Sequence, residues 1–153
     1  TLKKHNICID GKKVLIIGNG GAAQAVFTVL KDDHASEIIT VKHKVEPDTI
    51  TYEEAARMHR DAYLIVNTSP IGMYPNVDAS PMDLSPYNKL HAFIDIIYNP
   101  TVTKFIKQAI SQNVFAVNGL EMLVAQAKYA VEHFLDRKID DLVIEKICRE
   151  LSC

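Results

Sequence analysis

The sequence predicts an α/β fold in which a doubly wound, mostly parallel sheet lies between two layers of helices. Two observations support this prediction. Strand-like runs alternate with segments of helical periodicity, and the strand-like runs are apolar throughout. Both features are typical of a parallel sheet covered on both faces. The chain has 153 residues, enough for one domain with a sizeable core, so we expect a single three-layer domain over residues 1–153.

The predicted elements follow in regular order. The apolar run KKVLIIG at 12–18 predicts the first strand, and helical spacing of apolar residues predicts a helix over 21–32. A β-branched run at 37–41 predicts a second strand, and Thr51 followed by Glu54 is typical of a capping box that opens a helix over 51–59. A proline-rich segment at 70–86 indicates a loop. The other predicted elements are strands within 62–69, 91–100 and 114–117 and helices over 103–113, from 119 onward and over 140–151.

The composition argues against several classes of protein. Lys and Arg total 17 against 19 Asp and Glu, a formal net charge of −2, which does not favour binding to nucleic acid or to a membrane surface. No apolar run approaches the roughly 18 residues of a membrane span, and no signal peptide is visible. The three cysteines form no CxxC pair and the six histidines share no metal-ligand spacing. We therefore expect a cytoplasmic protein without a bound metal.

A glycine-rich turn joins the first strand to the first helix. Residues 18–25 have the sequence GNGGAAQA, in which Gly18, Gly20 and Ala23 fit the pattern G-x-G-x-x-A. Gly18 would permit the tight turn, and Gly20 would let a pyrophosphate approach the backbone. The start of the helix would then offer unpaired N–H groups to the phosphates. The pattern predicts a Rossmann-like dinucleotide site, and the alternative is a tight turn that binds no ligand.

The end of the second strand indicates which dinucleotide would bind. An Asp or Glu at this place would hold the ribose 2′-hydroxyl of NAD. This chain instead has Lys42, His43 and Lys44, and the next acid is Glu46. Cationic side chains suit a 2′-phosphate, so the sequence favours NADP. The alternative is a solvated basic loop.

Four longer segments are more selective than the glycine turn. They are VLIIGNGGAAQAV, LIVNTSPIGMYPN, FIDIIYNPTVTKFI and NGLEMLVAQAKYAVEHF. Together they resemble the C-terminal NADP-binding domain of shikimate dehydrogenase, over nearly the whole chain from about Ile9. Members of that family reversibly reduce 3-dehydroshikimate to shikimate with NADPH, on the route to chorismate and the aromatic amino acids. The resemblance therefore implies an NADP-dependent oxidoreductase.

The resemblance also implies a role for particular residues. Thr68 and Ser69 would lie on the ribose side of the cofactor, and Ile96, Gly119 and Met122 would lie at the nicotinamide. Lys42 and His43 would meet the 2′-phosphate, at the positions where the family commonly has an Arg-Thr pair, and Lys44 would assist them. The pyrophosphate would lie on Gly18, Asn19, Gly20, Gly21 and Ala22.

Two side chains would reach the substrate, namely Tyr98 and Gln126. Gln126 follows Met122 by four residues, so the two share a helix face. Without the resemblance, Met122 would be interpreted as a core residue and Gln126 as the partner of a buried carbonyl. Tyr98 alone would indicate a half-buried aromatic with its hydroxyl in water.

Hydride transfer moves a proton on the substrate oxygen and so needs a positioned acid or base. The family places a Lys and an Asp for this in an N-terminal substrate domain, which the resemblance does not include. Asp95, predicted in mid-strand, and Lys104, predicted at a helix start, offer no replacement. We therefore expect a chain that folds and binds NADP(H), needs the missing domain to bind shikimate, and is inactive alone. Residues 1–10 would be the tail of a linking helix and residues 119–153 the C-terminal helices.

Two other classes of function remain open from the sequence. One is a quinate dehydrogenase or the nucleotide domain of another Rossmann oxidoreductase, such as glutamyl-tRNA reductase. The other is a non-catalytic module that kept the nucleotide-binding fold. Both a monomer and a homodimer are compatible with the sequence.

Overall fold

The computed structural model describes residues 1–44 and 46–151. Ser152 and Cys153, at the end of the predicted segment 119–153, lie outside the described residues. The strands are β1 (Lys13–Ile17), β2 (Glu37–Lys42), β3 (Thr49–Thr51), β4 (Leu64–Asn67), β5 (Ala92–Asp95) and β6 (Phe115–Val117). The helices are α1 (Gly21–Asp32), α2 (Tyr52–Met58), α3 (Lys104–Ser111), α4 (Leu120–Leu135) and α5 (Leu142–Leu151).

The strands form one sheet in the spatial order β3-β2-β1-β4-β5-β6, and every neighbouring pair is parallel. This is the order of the Rossmann fold, so the predicted fold class is confirmed. The order reverses between β1 and β4, since the chain runs outward from β1 to one edge and then returns to build the other. In open sheets of this kind, ligands bind at that switch point, outside the carboxyl ends of the strands.

Both faces of the central strands β1 and β4 are buried, which explains why these strands are apolar. Leu15 and Ile17 of β1 belong to the core beneath α2 and α3. Val14 and Ile16 point to the other face and pack in the core beneath α1, with Ala23 and Leu30. Successive side chains of a strand point to opposite faces, so a strand that is covered on both faces is apolar at successive positions.

The edge strand β3 was not predicted from the sequence. This strand has only three residues, and it pairs beside the end of β2, with Val41 opposite Ile50. Its last residue, Thr51, was predicted as the N-cap of α2, and the structure confirms that capping box. The Thr51 hydroxyl accepts from the Glu54 backbone N–H at 3.1 Å, and the Glu54 carboxylate accepts from the Thr51 N–H at 2.9 Å. A strand this short carries too little periodicity to be recognised in a sequence.

The N-terminal segment has the hydrogen bonds of a helix C-terminus. The Ile7 N–H donates to the Leu2 carbonyl at 2.9 Å and the Asn6 N–H to the Lys3 carbonyl at 3.3 Å, while Asn6 has a φ of 53°. This pair of bonds around a left-handed residue is the Schellman arrangement that ends helices. Ile7 and Ile9 then pack into the core on the α1 face. That residues 1–10 are the tail of a longer linking helix stays a prediction.

The last two helices are joined by an ionic cluster in which Lys128 and Glu132 are buried and Asp141 is exposed. The Lys128 ammonium lies 3.1 Å from a Glu132 carboxylate oxygen and also pairs with Asp141, which precedes α5. Glu132 accepts a further hydrogen bond from the Ile139 N–H at 2.7 Å. Lys128 and Glu132 are both buried, and these partners compensate their charges.

Gly119 generates a prediction about stability, because the start of α4 lies against the exit of β5. A Cβ at this position would lie 1.8 Å from the Ile96 carbonyl oxygen. The change Gly119→Ala must therefore displace backbone, and we expect it to lower the free energy of unfolding by roughly 2–4 kcal/mol in urea titrations. The control is Gly21→Ala, where a Cβ meets nothing within 4 Å and alanine is the better helix former. Equal stability of the two variants would contradict this packing.

Candidate cofactor-binding site

The predicted site residues follow different strands but share one edge of the sheet. Gly18 follows β1, Lys42 ends β2, Thr68 follows β4, and Ile96 follows β5. Gly119 comes two residues after β6. Since all six strands are parallel, these five positions lie at the carboxyl edge, across the switch point of the sheet.

In the turn after β1, the backbone and its surroundings require glycine at position 18 but not at position 20. Gly18 has a φ of +106°, and a Cβ there would lie 2.9 Å from the Thr68 hydroxyl oxygen. The fold itself therefore requires glycine at this position. Gly20 has an ordinary φ of −87°, and a Cβ there would meet nothing within 4 Å. The protein does not need glycine at position 20, and open space remains above its backbone.

The N-terminus of α1 differs from those of the next three helices. Thr51 caps α2, Thr103 caps α3 by accepting from the Ile106 N–H, and the Asn118 side chain accepts from the Leu120 N–H at the start of α4. At α1, no side chain of the described residues caps the helix, and its first turn contains no acid. The first two residues of α1, Gly21 and Ala22, are exposed, so the N–H groups and positive dipole end of this helix start are suited to an anion.

The two hydroxyls predicted on the ribose side are engaged within the protein. The Thr68 hydroxyl donates to the Ile17 carbonyl at 2.7 Å, and the Ser69 hydroxyl donates to the Asn67 side-chain oxygen at 2.7 Å. The Thr68 bond ties the exit of β4 to the end of β1, whereas the Ser69 bond stays within the exit of β4. Each hydroxyl oxygen retains acceptor capacity, so either could still accept a hydrogen bond from a bound ribose.

A buried carboxylate connects three segments at this edge. Asp95, predicted in mid-strand, is the last residue of β5 and is fully buried. One of its oxygens accepts from the Asn67 amide at 2.9 Å and from the Ile97 N–H at 3.1 Å, and the other accepts from the Thr103 hydroxyl at 2.7 Å. It thereby fixes the exits of β4 and β5 relative to the start of α3. Burial raises the pKa of Asp95, although its three hydrogen bonds act in the opposite direction.

The residues predicted at the nicotinamide lie together. Ile96 and Met122 line one groove of about 510 Å³, whose other wall includes Val26 and Val29 of α1. The first turn of α4 therefore lies on the same side of the sheet as α1. Gln126 follows Met122 by one helical turn and is exposed.

Tyr98, the other predicted substrate contact, is 47% exposed beyond the end of β5. The structure brings Ile96 and Met122 together. Tyr98, two residues after Ile96, and Gln126, four residues after Met122, are open to solvent.

An acid in the connection after β2, Glu46, pairs with the basic end of that strand, and the sequence did not predict a role for it. The Lys42 ammonium pairs with the Glu46 carboxylate, and the Asn19 amide donates to the same carboxylate at 3.4 Å. Those two partners, Lys42 first, hold the pKa of Glu46 below its usual range. His43 lies with its ring centroid 6.3 Å from that of Tyr52, and Lys44 is exposed. Glu46 was not recognised from the sequence because the acid that binds the ribose is usually expected at the end of the second strand itself.

Neither a metal site nor a membrane span is found among the residues that the structure describes. There, no group of three His, Cys, Asp or Glu side chains could hold a metal ion. In the same part of the chain, no helix is both long and apolar enough to cross a membrane.

The raised pKa of Asp95 generates a prediction about pH. An acid whose pKa is higher in the folded than in the unfolded state costs stability as the pH rises above its ordinary range, about 4. Asp95→Asn keeps the shape but cannot ionise. The free energy of unfolding of this variant, relative to the original protein, should therefore increase as the pH rises from about 3 to about 7. A relative free energy that is constant or falls over this range, in urea titrations, would contradict the assignment.

Comparison with known proteins shows which proteins the chain is similar to. Shikimate dehydrogenase (NADP(+)) of Clostridium beijerinckii is 36% identical over 149 residues, which cover 92% of this chain and 54% of the relative. No family model matches the chain.

Two solved structures of proteins named as shikimate dehydrogenases are also similar to this chain. The crystal structure of a chorismate mutase/shikimate 5-dehydrogenase fusion protein from Clostridium acetobutylicum has a TM-score of 0.92 and 36% identity, covering 99% of this chain and 58% of that one. Shikimate dehydrogenase 1 from Peptoclostridium difficile has a TM-score of 0.88 and 34% identity, covering 98% and 58%. The chain spans a little over half the length of the curated relatives that it matches. It is thus homologous, over nearly its whole length, to a part of the shikimate dehydrogenases.

Proposed function

We propose that the chain binds NADP(H) and serves as the cofactor-binding part of a shikimate dehydrogenase. The observation that carries this proposal is that no side chain of the described residues caps the N-terminus of α1, and that the space next to the Gly20 Cα is unfilled. Backbone N–H groups and the positive end of a helix dipole together suit a pyrophosphate. The NADP(+) in the name of the Clostridium beijerinckii relative supports the same cofactor. A cytoplasmic location is supported by the exposed free thiol of Cys8.

The residues at the carboxyl edge would hold the two ends of the cofactor separately. Lys42 and Lys44 would attract the 2′-phosphate, and His43 lies between them in the chain. At the other end, the apolar side chains of Ile96 and Met122 would pack on the nicotinamide and exclude water from it. When bound, NADP(H) supplies or accepts the hydride.

Tyr98 and Gln126, which follow Ile96 and Met122 in the chain, would orient the substrate. The Tyr98 hydroxyl and the Gln126 amide are both exposed and can donate and accept hydrogen bonds, which suits a polyol acid such as shikimate or quinate. Asp95 would act as a positioning residue, since it fixes the exits of β4 and β5 on which Ser69 and Tyr98 depend.

Proton transfer needs a further group. Asp95 is buried and already accepts three hydrogen bonds, and Lys42 is paired with Glu46, so neither is available to protonate a substrate oxygen. We infer that the acid–base group comes from the part of the relatives' length that this chain does not span. The described chain would then bind cofactor without catalysing turnover.

The proposal predicts that binding and catalysis separate in this chain. Titration calorimetry should detect NADPH binding. An absorbance assay should find no reduction of NADP by shikimate or quinate above the blank, because the proton-transfer group is missing. Turnover by the chain alone with either acid would contradict the inference about that group. Absence of NADPH binding would contradict the proposed function itself.

Gly20→Ala tests the pyrophosphate site directly. The added Cβ points into open space, so the thermal midpoint should stay within about 2 °C of the original or rise slightly. The methyl group would stand where the phosphate must approach, and the dissociation constant for NADP should increase at least about tenfold, or about 1.4 kcal/mol. Gly20→Val should weaken binding further. Unchanged affinity in both variants would show that no ligand lies over Gly20.

A further inference from the structure

Glu46 lies where this fold recognises the 2′ substituent of the adenosine ribose. Its carboxylate bridges two parts of the predicted cofactor site, pairing with Lys42 at the end of β2 and accepting from Asn19 in the glycine turn. In dinucleotide-binding folds, an acid at the end of the second strand, about 20 residues after the glycine turn, hydrogen-bonds the ribose 2′-hydroxyl. Glu46 reaches this place from the connection between β2 and β3, four residues after the strand end where the acid is usually found.

The backbone of Glu46 is held in position by a neighbouring threonine. The Glu46 N–H donates to the Thr49 hydroxyl oxygen at 2.8 Å, and that hydroxyl donates to the Glu46 carbonyl at 3.0 Å. Thr49 is buried at the start of β3. These reciprocal bonds do not involve the Glu46 side chain, so a change of its carboxylate should leave the connection intact.

The charges at this place favour two different ligands. Lys42 attracts a 2′-phosphate, which carries between one and two negative charges at neutral pH. Glu46 is held ionised by Lys42 and repels the same phosphate. A 2′-hydroxyl has the opposite requirement, since it can donate a hydrogen bond to the carboxylate without disturbing the ion pair.

We propose that Glu46 is a specificity-determining residue. Its carboxylate competes with the 2′-phosphate of NADP for Lys42 and accepts a hydrogen bond from the ribose 2′-hydroxyl of NAD. The site therefore selects NADP over NAD less strongly than Lys42, His43 and Lys44 alone would predict, and it accepts both dinucleotides. This inference rests on the proposed cofactor-binding function.

The test is to measure the dissociation constants of NADP and NAD by titration calorimetry for the original chain and for Glu46→Gln. The amide keeps the size of the side chain and removes its charge. We expect NADP to bind roughly three- to tenfold more tightly, because a repulsion is lost and Lys42 is released. We expect NAD to bind roughly threefold more weakly, because a neutral acceptor replaces a charged one.

Two controls make the result specific. Glu150→Gln, on the exposed surface of α5, changes the net charge equally and should leave both dissociation constants unchanged. In a Lys42→Gln background, the gain in NADP affinity from Glu46→Gln should shrink, because part of it depends on the release of Lys42. The fragment 2′,5′-ADP should show the same tightening as NADP, since it contains only the adenosine half.

The outcomes separate the role of Glu46 from the proposed function. If the original chain binds a dinucleotide but Glu46→Gln leaves the ratio of the NAD and NADP constants unchanged, the role of Glu46 is overturned and the proposed function stands. The role of Glu46 is likewise overturned if Glu150→Gln produces an equal shift. If the original chain binds neither NADP nor NAD, the proposed function fails and this inference fails with it.

Discussion

The parallel direction of all six strands is the constraint on which the rest of this structure depends. It delivers the exits of β1, β2, β4, β5 and β6 to one edge of the sheet, although the residues that follow them are spread over about a hundred positions of the sequence. At the centre of that edge, α1 begins without a capping side chain. The fold thereby creates a place where backbone N–H groups lack partners, and a bound anion would supply them.

The remaining interactions at the edge hold the exits in register. Asp95 gathers hydrogen bonds from Asn67, Ile97 and Thr103, and the missing side chain of Gly119 lets α4 start directly against the Ile96 backbone. These contacts are buried and use groups that a ligand cannot reach. The exposed Tyr98 follows the end of β5, and the exposed Gln126 lies in the second turn of α4, so both are carried by elements whose positions these contacts determine.

Much of this arrangement could be predicted from the sequence, because its signals are local. The strand–glycine turn–helix pattern lies within about twenty consecutive positions and the Thr51 capping box within four, and both formed as expected. The three-residue strand β3 was missed because it is too short to show a period. Two other contacts could not be predicted because their partners are distant in the sequence. Asn67 and Asp95 are 28 positions apart, and Asn19 and Glu46 are 27 positions apart. No pattern in a single sequence indicates such pairs.

The most direct test of this account follows the backbone amides of the isotope-labelled chain by NMR while NADP is added. The account predicts that the largest changes in chemical shift occur at the N–H groups of Gly20, Gly21 and Ala22, where the uncapped helix would meet the pyrophosphate. If NADP bound while those three amides kept their chemical shifts, the diphosphate would lie elsewhere and the central claim would be wrong.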